Sequence, residues 1–176
     1  PAVVPAPVQM ELLQEHYAFG EASQIASQHA NREIRAIADY LADRLNEQIA
    51  FKPKVFELGN APSRLPQGTI MVILLPGDPD LGEEGYVLAA TNYGVMLGAY
   101  TPTGLFRGAQ TLRQLITRGD DGGWRLPGVK IRDYPRYKWR GMLLDCCRHF
   151  MTKEYVKRQI DLLAYHKLNV LHWHLT

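Results

Sequence analysis

The chain has 176 residues, 46% of them hydrophobic and 22% charged, and its 20 Lys and Arg against 18 Asp and Glu give a formal net charge of +2. This is the composition of a globular chain long enough for one domain, or one domain and part of another. A charge so near balance points to neither a nucleic-acid partner nor an acidic tail, and no run approaches the roughly 18–20 apolar residues of a membrane span.

The opening, PAVVPAPVQ, has neither the charged n-region nor the apolar h-region of a secretory signal. A Pro- and Ala-rich start is what remains once a signal has been removed, so a secreted, periplasmic or cell-surface location is expected. Val8 to Phe19 predicts a first strand with an edge-like, Pro-flanked beginning. From His29 to Ile49 the apolar positions Ile34, Ile37, Ala38, Leu41, Leu45 and Ile49 recur at spacings of three and four, which predicts an amphipathic helix. Lys54 to Leu58 is short and β-like. Thr69 to Leu75 is a continuous apolar run between Gly68 and Pro76, the pattern of a central strand buried on both faces.

Tyr86–Thr91 and Val95–Tyr100 read as a hairpin turning through Asn92-Tyr93-Gly94, where Asn and Gly supply the positive φ of a tight turn. A second helix follows, with Thr101 as N-cap, Pro102 at the first helical position, Leu105, Ala109, Leu112 and Ile116 on the buried face, and Gly119 as its end. Asp120 to Gly123 is a turn, and Trp124 to Ile131 is a short strand or extended linker. Residues 1–132 are therefore expected to form an α+β domain, a mostly antiparallel sheet with two helices on one face. This stretch has no HExxH for zinc, no Gly-rich phosphate loop and no serine nucleophile elbow.

Residues 133–176 have a different character. Lys and Arg outnumber Asp and Glu between Arg125 and Arg158, and a solvated basic face accounts for such a run except where an arginine is held at a strand end. Gly141 to Cys147 is apolar apart from Asp145, as a parallel strand covered on both faces is. Cys146 and Cys147 are adjacent, a spacing that strains a disulfide, so two free thiols are expected. Thr152 is the candidate N-cap of a helix with Glu154 in its first turn and Val156, Ile160, Leu163 and Ala164 in its buried stripe; Asn169 to His174 is a second strand. A helix of that length joins parallel neighbours in a β-α-β unit.

In α/β barrels the chemistry gathers at the carboxyl ends of the strands. Those ends carry Asp145, Arg148 and His149 after the first strand, and His172, Trp173 and His174 in the second. Arg148 presents five donors in a rigid fork, suited to vicinal sugar hydroxyls and equally to a carboxylate such as Asp145. His172 and His174 lie two apart and share a strand face, as a metal-binding H-x-H pair does; histidines hydrogen-bonded inside a barrel give the same pattern. Trp173 fits either a sugar platform or a packing role.

Two stretches carry a resemblance. Glu84 to Leu115, with Gly104, Gly108, Gln110, Thr111, Leu112, Gln114 and Leu115 in a G-x-x-x-G-x-Q-T-L-x-Q-L pattern, resembles the accessory domain before the barrel in family-20 glycoside hydrolases, the β-N-acetylhexosaminidases. Asp133 to Thr176 resembles the opening of their catalytic domain, through W-R-G (Trp139 to Gly141), D-x-x-R-H-F (Asp145, Arg148, His149, Phe150), I-D-x-x-A-x-x-K-x-N (Ile160 to Asn169) and N-V-L-H-W-H-L-T (Asn169 to Thr176). Cys146-Cys147 departs from that pattern, where the family often has a small or β-branched residue followed by Ser. The resemblance implies an accessory α+β domain followed by the first β-α-β unit of a (β/α)8 TIM barrel. It implies an exo-β-N-acetylhexosaminidase acting on glycans or chito-oligosaccharides by a substrate-assisted retaining mechanism, with no metal and no cofactor. Arg148 then binds hydroxyls of the non-reducing-end sugar, with Asp145, His172 and His174 in supporting roles. The catalytic Asp-Glu pair lies on a later strand, outside these residues.

The expected partners are an N-acetylhexosamine-terminated glycan and the rest of the barrel. Two strands cannot close a barrel of about 250 residues, so the chain is expected to be a truncated or processed piece, or one part of a longer polypeptide, and inactive by itself. Two other readings stay open: a non-catalytic carbohydrate-binding or scaffold module, and a metal-dependent TIM-barrel hydrolase using His172 and His174.

Overall fold

The structure, a computed structural model, describes residues 2–28, 31–58, 67–76 and 78–176. Among the described residues the order is β1 (Gln9–Ala18), β2 (Gln24–Gln28), α1 (Arg32–Ile49), β3 (Lys54–Leu58), β4 (Thr69–Leu74), β5 (Tyr86–Ala90), β6 (Gly94–Ala99), α2 (Pro102–Leu115), β7 (Thr117–Arg118), β8 (Trp124–Asp133), β9 (Gly141–Asp145), α3 (Lys153–Tyr165) and β10 (Val170–His174). His29, where the helical pattern begins in the sequence, lies outside the described residues. The chain divides into two compact units, Pro1–Tyr134 and Pro135–Thr176.

The first unit is built on one sheet in the order β1-β8-β5-β6-β4-β2-β3, with β7 paired to β8. It is a mixed sheet, not the mostly antiparallel one expected. β1, β8, β5 and β6 pair antiparallel, whereas β6, β4, β2 and β3 pair parallel. The physical reason is β2, a strand the sequence did not announce: α1 carries the chain from β2 back to the same end of the sheet, and a helical crossover makes its two strands parallel. Trp124–Asp133, read as a short strand or linker, is a ten-residue strand that pairs with both β1 and β5.

Asn31 caps α1, its side chain accepting from the backbone N–H groups of Glu33 and Ile34. The apolar stripe Ile34, Ala38, Leu41 and Leu45 then meets Leu105, Ala109 and Leu112 of α2 and the sheet residues Ile25, Ile70, Val72, Leu88 and Leu97 in one core. Thr101 caps α2 through the N–H of Gly104, as expected, but the helix ends at Leu115 and passes through an extended Ile116 into β7 rather than reaching Gly119.

The motif residues of α2 prove to be packing residues. A Cβ on Gly104 would lie 2.2 Å from the Gly85 carbonyl oxygen, and one on Gly108 would lie 2.2 Å from Leu97 Cδ1, so both glycines let the helix sink onto the sheet. Buried Gln110 bonds to Tyr40 of α1, and Gln114 grips Val4 by accepting from its N–H at 2.7 Å and donating to its carbonyl at 3.0 Å. Tyr86 donates its hydroxyl to Asp133 Oδ2 at 2.7 Å, so the buried Thr111 hydroxyl beside it donates to the tyrosine oxygen; Val8 N–H closes on Asp133 Oδ1. Burial first, and the neighbouring Asp133 charge second, push the Tyr86 phenol far above its ordinary range.

The β5–β6 hairpin turns at Asn92-Tyr93, but neither Asn92 nor Gly94 takes the positive φ expected of it. The turn is held by Thr91, whose hydroxyl accepts from Tyr93 N–H, and by Thr91 N–H bonded to the Gly94 carbonyl. Gly94 is required by proximity, since a Cβ there would lie 2.7 Å from the Thr69 carbonyl oxygen of β4.

In the second unit β9 and β10 pair parallel, with Val170 beside Gly141 and His174 beside Asp145. Their amino ends are pinned together. Asn169 accepts from Arg140 N–H at 2.9 Å through its side-chain oxygen and donates to the Lys138 carbonyl at 2.8 Å, while Arg140 Nε donates to the Lys167 carbonyl at 3.0 Å. The W-R-G and K-x-N motifs thus belong to one clasp. Thr152 caps α3 through Tyr155 N–H. Leu144, Val156 and Leu163 are buried, but Ile160 is 48% exposed against the expectation of a buried stripe, and Leu143 at 57% shows that β9 is not covered on both faces. Two strands and one helix offer too little apolar surface to cover both.

Candidate functional site

The carboxyl ends of β9 and β10 bring together Asp145, the Cys146–Arg148 turn and His174. Asp145 ends β9, and its short side chain folds back onto the turn that follows. Oδ1 accepts from the N–H of Cys147 at 3.0 Å and of Arg148 at 3.1 Å, an Asx-type turn. The parallel register sets His174 beside it, with Nδ1 3.2 Å from the same oxygen. Oδ2 forms an ion pair with Arg148 Nε at 3.3 Å. The Arg148 N–H is the largest influence holding the Asp145 carboxyl below its ordinary range, helped by His174, the Cys147 N–H and the Arg148 charge and opposed by partial burial.

Arg148 is held by its carboxylate but is otherwise in solvent, with 82% of its side chain exposed. The carboxylate-pairing and the sugar-binding readings of this arginine are compatible: one nitrogen faces Asp145 while the fork stands out from the strand ends. His149 and Phe150 are exposed. His172 is exposed beside Leu143, and its side chain makes no hydrogen bond or ion pair among the described residues. His174 differs, because its ring nitrogen is turned onto Asp145. Among the described residues no three His, Cys, Asp or Glu side chains cluster as a metal site.

Trp173 donates its indole N–H to Cys146 Sγ at 3.2 Å, and both cysteines are free thiols. Neither that contact nor the Asx turn was foreseen. The turn had a signal, since an Asp closing a strand just before a reversal is the residue that captures the next two or three amides. The Trp–Cys contact had none.

The chain is thus a mixed sheet with helices followed by a parallel β-α-β unit whose polar cluster stands where its strands end. Residues 1–134 match the family model described as glycosyl hydrolase family 20, domain 2, and residues 137–176 match that of the glycosyl hydrolase family 20 catalytic domain. The chain belongs to glycosyl hydrolase family 20. It is 35% identical over 176 residues to a β-N-acetylhexosaminidase of Cellulomonas fimi, and 33% identical over 180 residues to a β-hexosaminidase of Porphyromonas gingivalis; each match takes in 99% of this chain. It spans 34% of the first relative and 22% of the second. Among solved structures, a mutant Streptomyces plicatus β-hexosaminidase in complex with its product GlcNAc superposes with a TM-score of 0.86 at 37% identity, over 99% of this chain and 34% of that one.

Proposed function

We propose that these residues are the N-terminal portion of an exo-β-N-acetylhexosaminidase, with β9, α3 and β10 forming the first β-α-β unit of a (β/α)8 barrel. The observation that carries this reading is the coincidence of the family-20 catalytic match with a parallel β-α-β unit that presents an Asp-anchored arginine at the strand ends. Leu143, Phe150 and Trp173 stand exposed on the second unit, apolar surface of the kind that further strands and helices of a barrel cover.

In this reading Arg148 donates to hydroxyls of the terminal N-acetylhexosamine. Its fixed fork orients the ring, and binding at these remote hydroxyls serves the reacting centre by restricting the sugar to one pose. The substrate's own acetamido oxygen attacks the anomeric carbon, giving an oxazoline-type intermediate; an Asp steadies the acetamido group, and the adjacent Glu protonates the leaving oxygen and later activates water. That acidic pair comes from a later strand.

Hydrolysis of 4-nitrophenyl N-acetyl-β-glucosaminide by the polypeptide that joins this chain to the remainder of a family-20 catalytic domain tests the proposal. Arg148→Ala is expected to raise KM by about ten- to a hundredfold, the worth of one or two charge-assisted hydrogen bonds. Absence of hydrolysis, or an unchanged KM in that variant, overturns it.

A further inference from the structure

We propose that His174 is a positioning residue for Arg148, acting through Asp145 from the neighbouring strand; this rests on the sugar-binding reading of Arg148 and deepens it. The parallel register puts His174 directly beside Asp145, so their side chains leave the sheet on the same side, and Nδ1 comes within 3.2 Å of Oδ1. Ionised Asp145 can only accept, so the imidazole nitrogen that faces it carries the proton. The geometry assigns a proton to Nδ1, so of the two neutral tautomers it selects the Nδ1–H form.

Three donors therefore converge on Oδ1, and they are not equivalent. The N–H groups of Cys147 and Arg148 belong to the same turn as the arginine and travel with it. Among the described residues that donate to this carboxylate, only His174 comes from the adjacent strand. It ties the carboxylate itself to β10, whereas the other side-chain contact from β10, that of Trp173, reaches Cys146 at the start of the turn. Once Oδ1 is fixed from both sides, the carboxylate plane is set and Oδ2 is left facing Arg148 Nε at 3.3 Å. The remaining guanidinium nitrogens then stand at one angle to the strand ends instead of sampling many. Facing this pair are Arg148 from the turn and, two residues back on β10, the exposed His172, which engages neither.

The test has two arms. In the 176-residue chain, long-range 1H–15N spectra of the histidine rings are expected to show His174 as the Nδ1–H tautomer, changing in Asp145→Ala. In the polypeptide completed with the rest of a family-20 catalytic domain, His174→Ala is expected to raise KM for a chromogenic N-acetylglucosaminide about tenfold with kcat nearly unchanged, because an orienting contact on a binding group is lost. His174→Asn keeps an N–H near the Nδ1 position and is expected to restore most of the affinity, which separates a positioning role from a folding defect. In an Arg148→Ala background, His174→Ala is expected to add nothing further. An Nε2–H tautomer, an equal fall in kcat, failure of His174→Asn to rescue, or additivity of the two alanine changes overturns the proposal. If Arg148→Ala itself leaves KM unchanged, it is the sugar-binding reading that has failed.

Discussion

Replacing Tyr86 by Phe removes one oxygen from the middle of the first unit, and the consequences follow from its surroundings. The hydroxyl donates to Asp133 and accepts from Thr111, and the residue is 1% exposed. A hydrogen bond to a charged acceptor contributes about 1.5–3 kcal/mol, so the variant is expected to lose about 2 kcal/mol at neutral pH. At alkaline pH the order reverses. The phenol is raised above its ordinary value of 10.0, so above pH 10 the unfolded chain releases a proton that the folded chain keeps. Stability then falls as pH rises, by about 1.4 kcal/mol per pH unit for this group. Phenylalanine has no proton to release, so that part of the slope vanishes and the two stability curves cross about 1.5 pH units above 10. Tyr17, also raised by burial, keeps its share of the slope in both proteins. Urea unfolding between pH 7 and 12 reads both effects, and in a Trp139→Phe, Trp173→Phe background the fluorescence of Trp124 follows the first unit alone. A Tyr86→Phe chain as stable as its parent at pH 7, with the same fall above pH 10, refutes the reasoning.

Gly104→Ala is expected to destabilise the first unit by more than the roughly 1–3 kcal/mol of ordinary overpacking, and by more than Gly108→Ala, as read from urea midpoints. The added methyl at 104 meets the Gly85 backbone, whereas that at 108 meets side chains, the end of Leu97 first and then the Tyr86 ring. Asn169→Ala removes one acceptor and one donor from the clasp at the amino ends of β9 and β10. Its expected cost is about 1–3 kcal/mol, visible as faster hydrogen exchange of the Arg140 amide, and unchanged exchange there counts against the clasp.

Much of the second unit was legible because its elements are local. A capped helix between two apolar runs has few other ways to fold, and the strand ends follow from the strands. The sheet of the first unit was less so. Gln24–Gln28 reads as polar, yet Ile25, Ala26 and Ser27 are wholly buried, because β3 and β4 flank this strand and supply its hydrogen bonds from distant parts of the chain. Missing it made the sheet look antiparallel. At the site, the sequence showed which residues stand at the strand ends but not how they pair: His172 and His174 are equivalent by spacing, and only the register with β9 separates the one set beside Asp145 from the one set beside Leu143.

The clasp of Arg140 and Asn169 gives the two parallel strands a fixed floor, while the loop above them, from Cys146 to Phe150, is tied down by other groups, the Asp145 carboxylate and the Trp173 indole. Foundation and rim are thus secured by different residues. The rim can therefore change its side chains, even to the point of seating two thiols there, without loosening the masonry underneath.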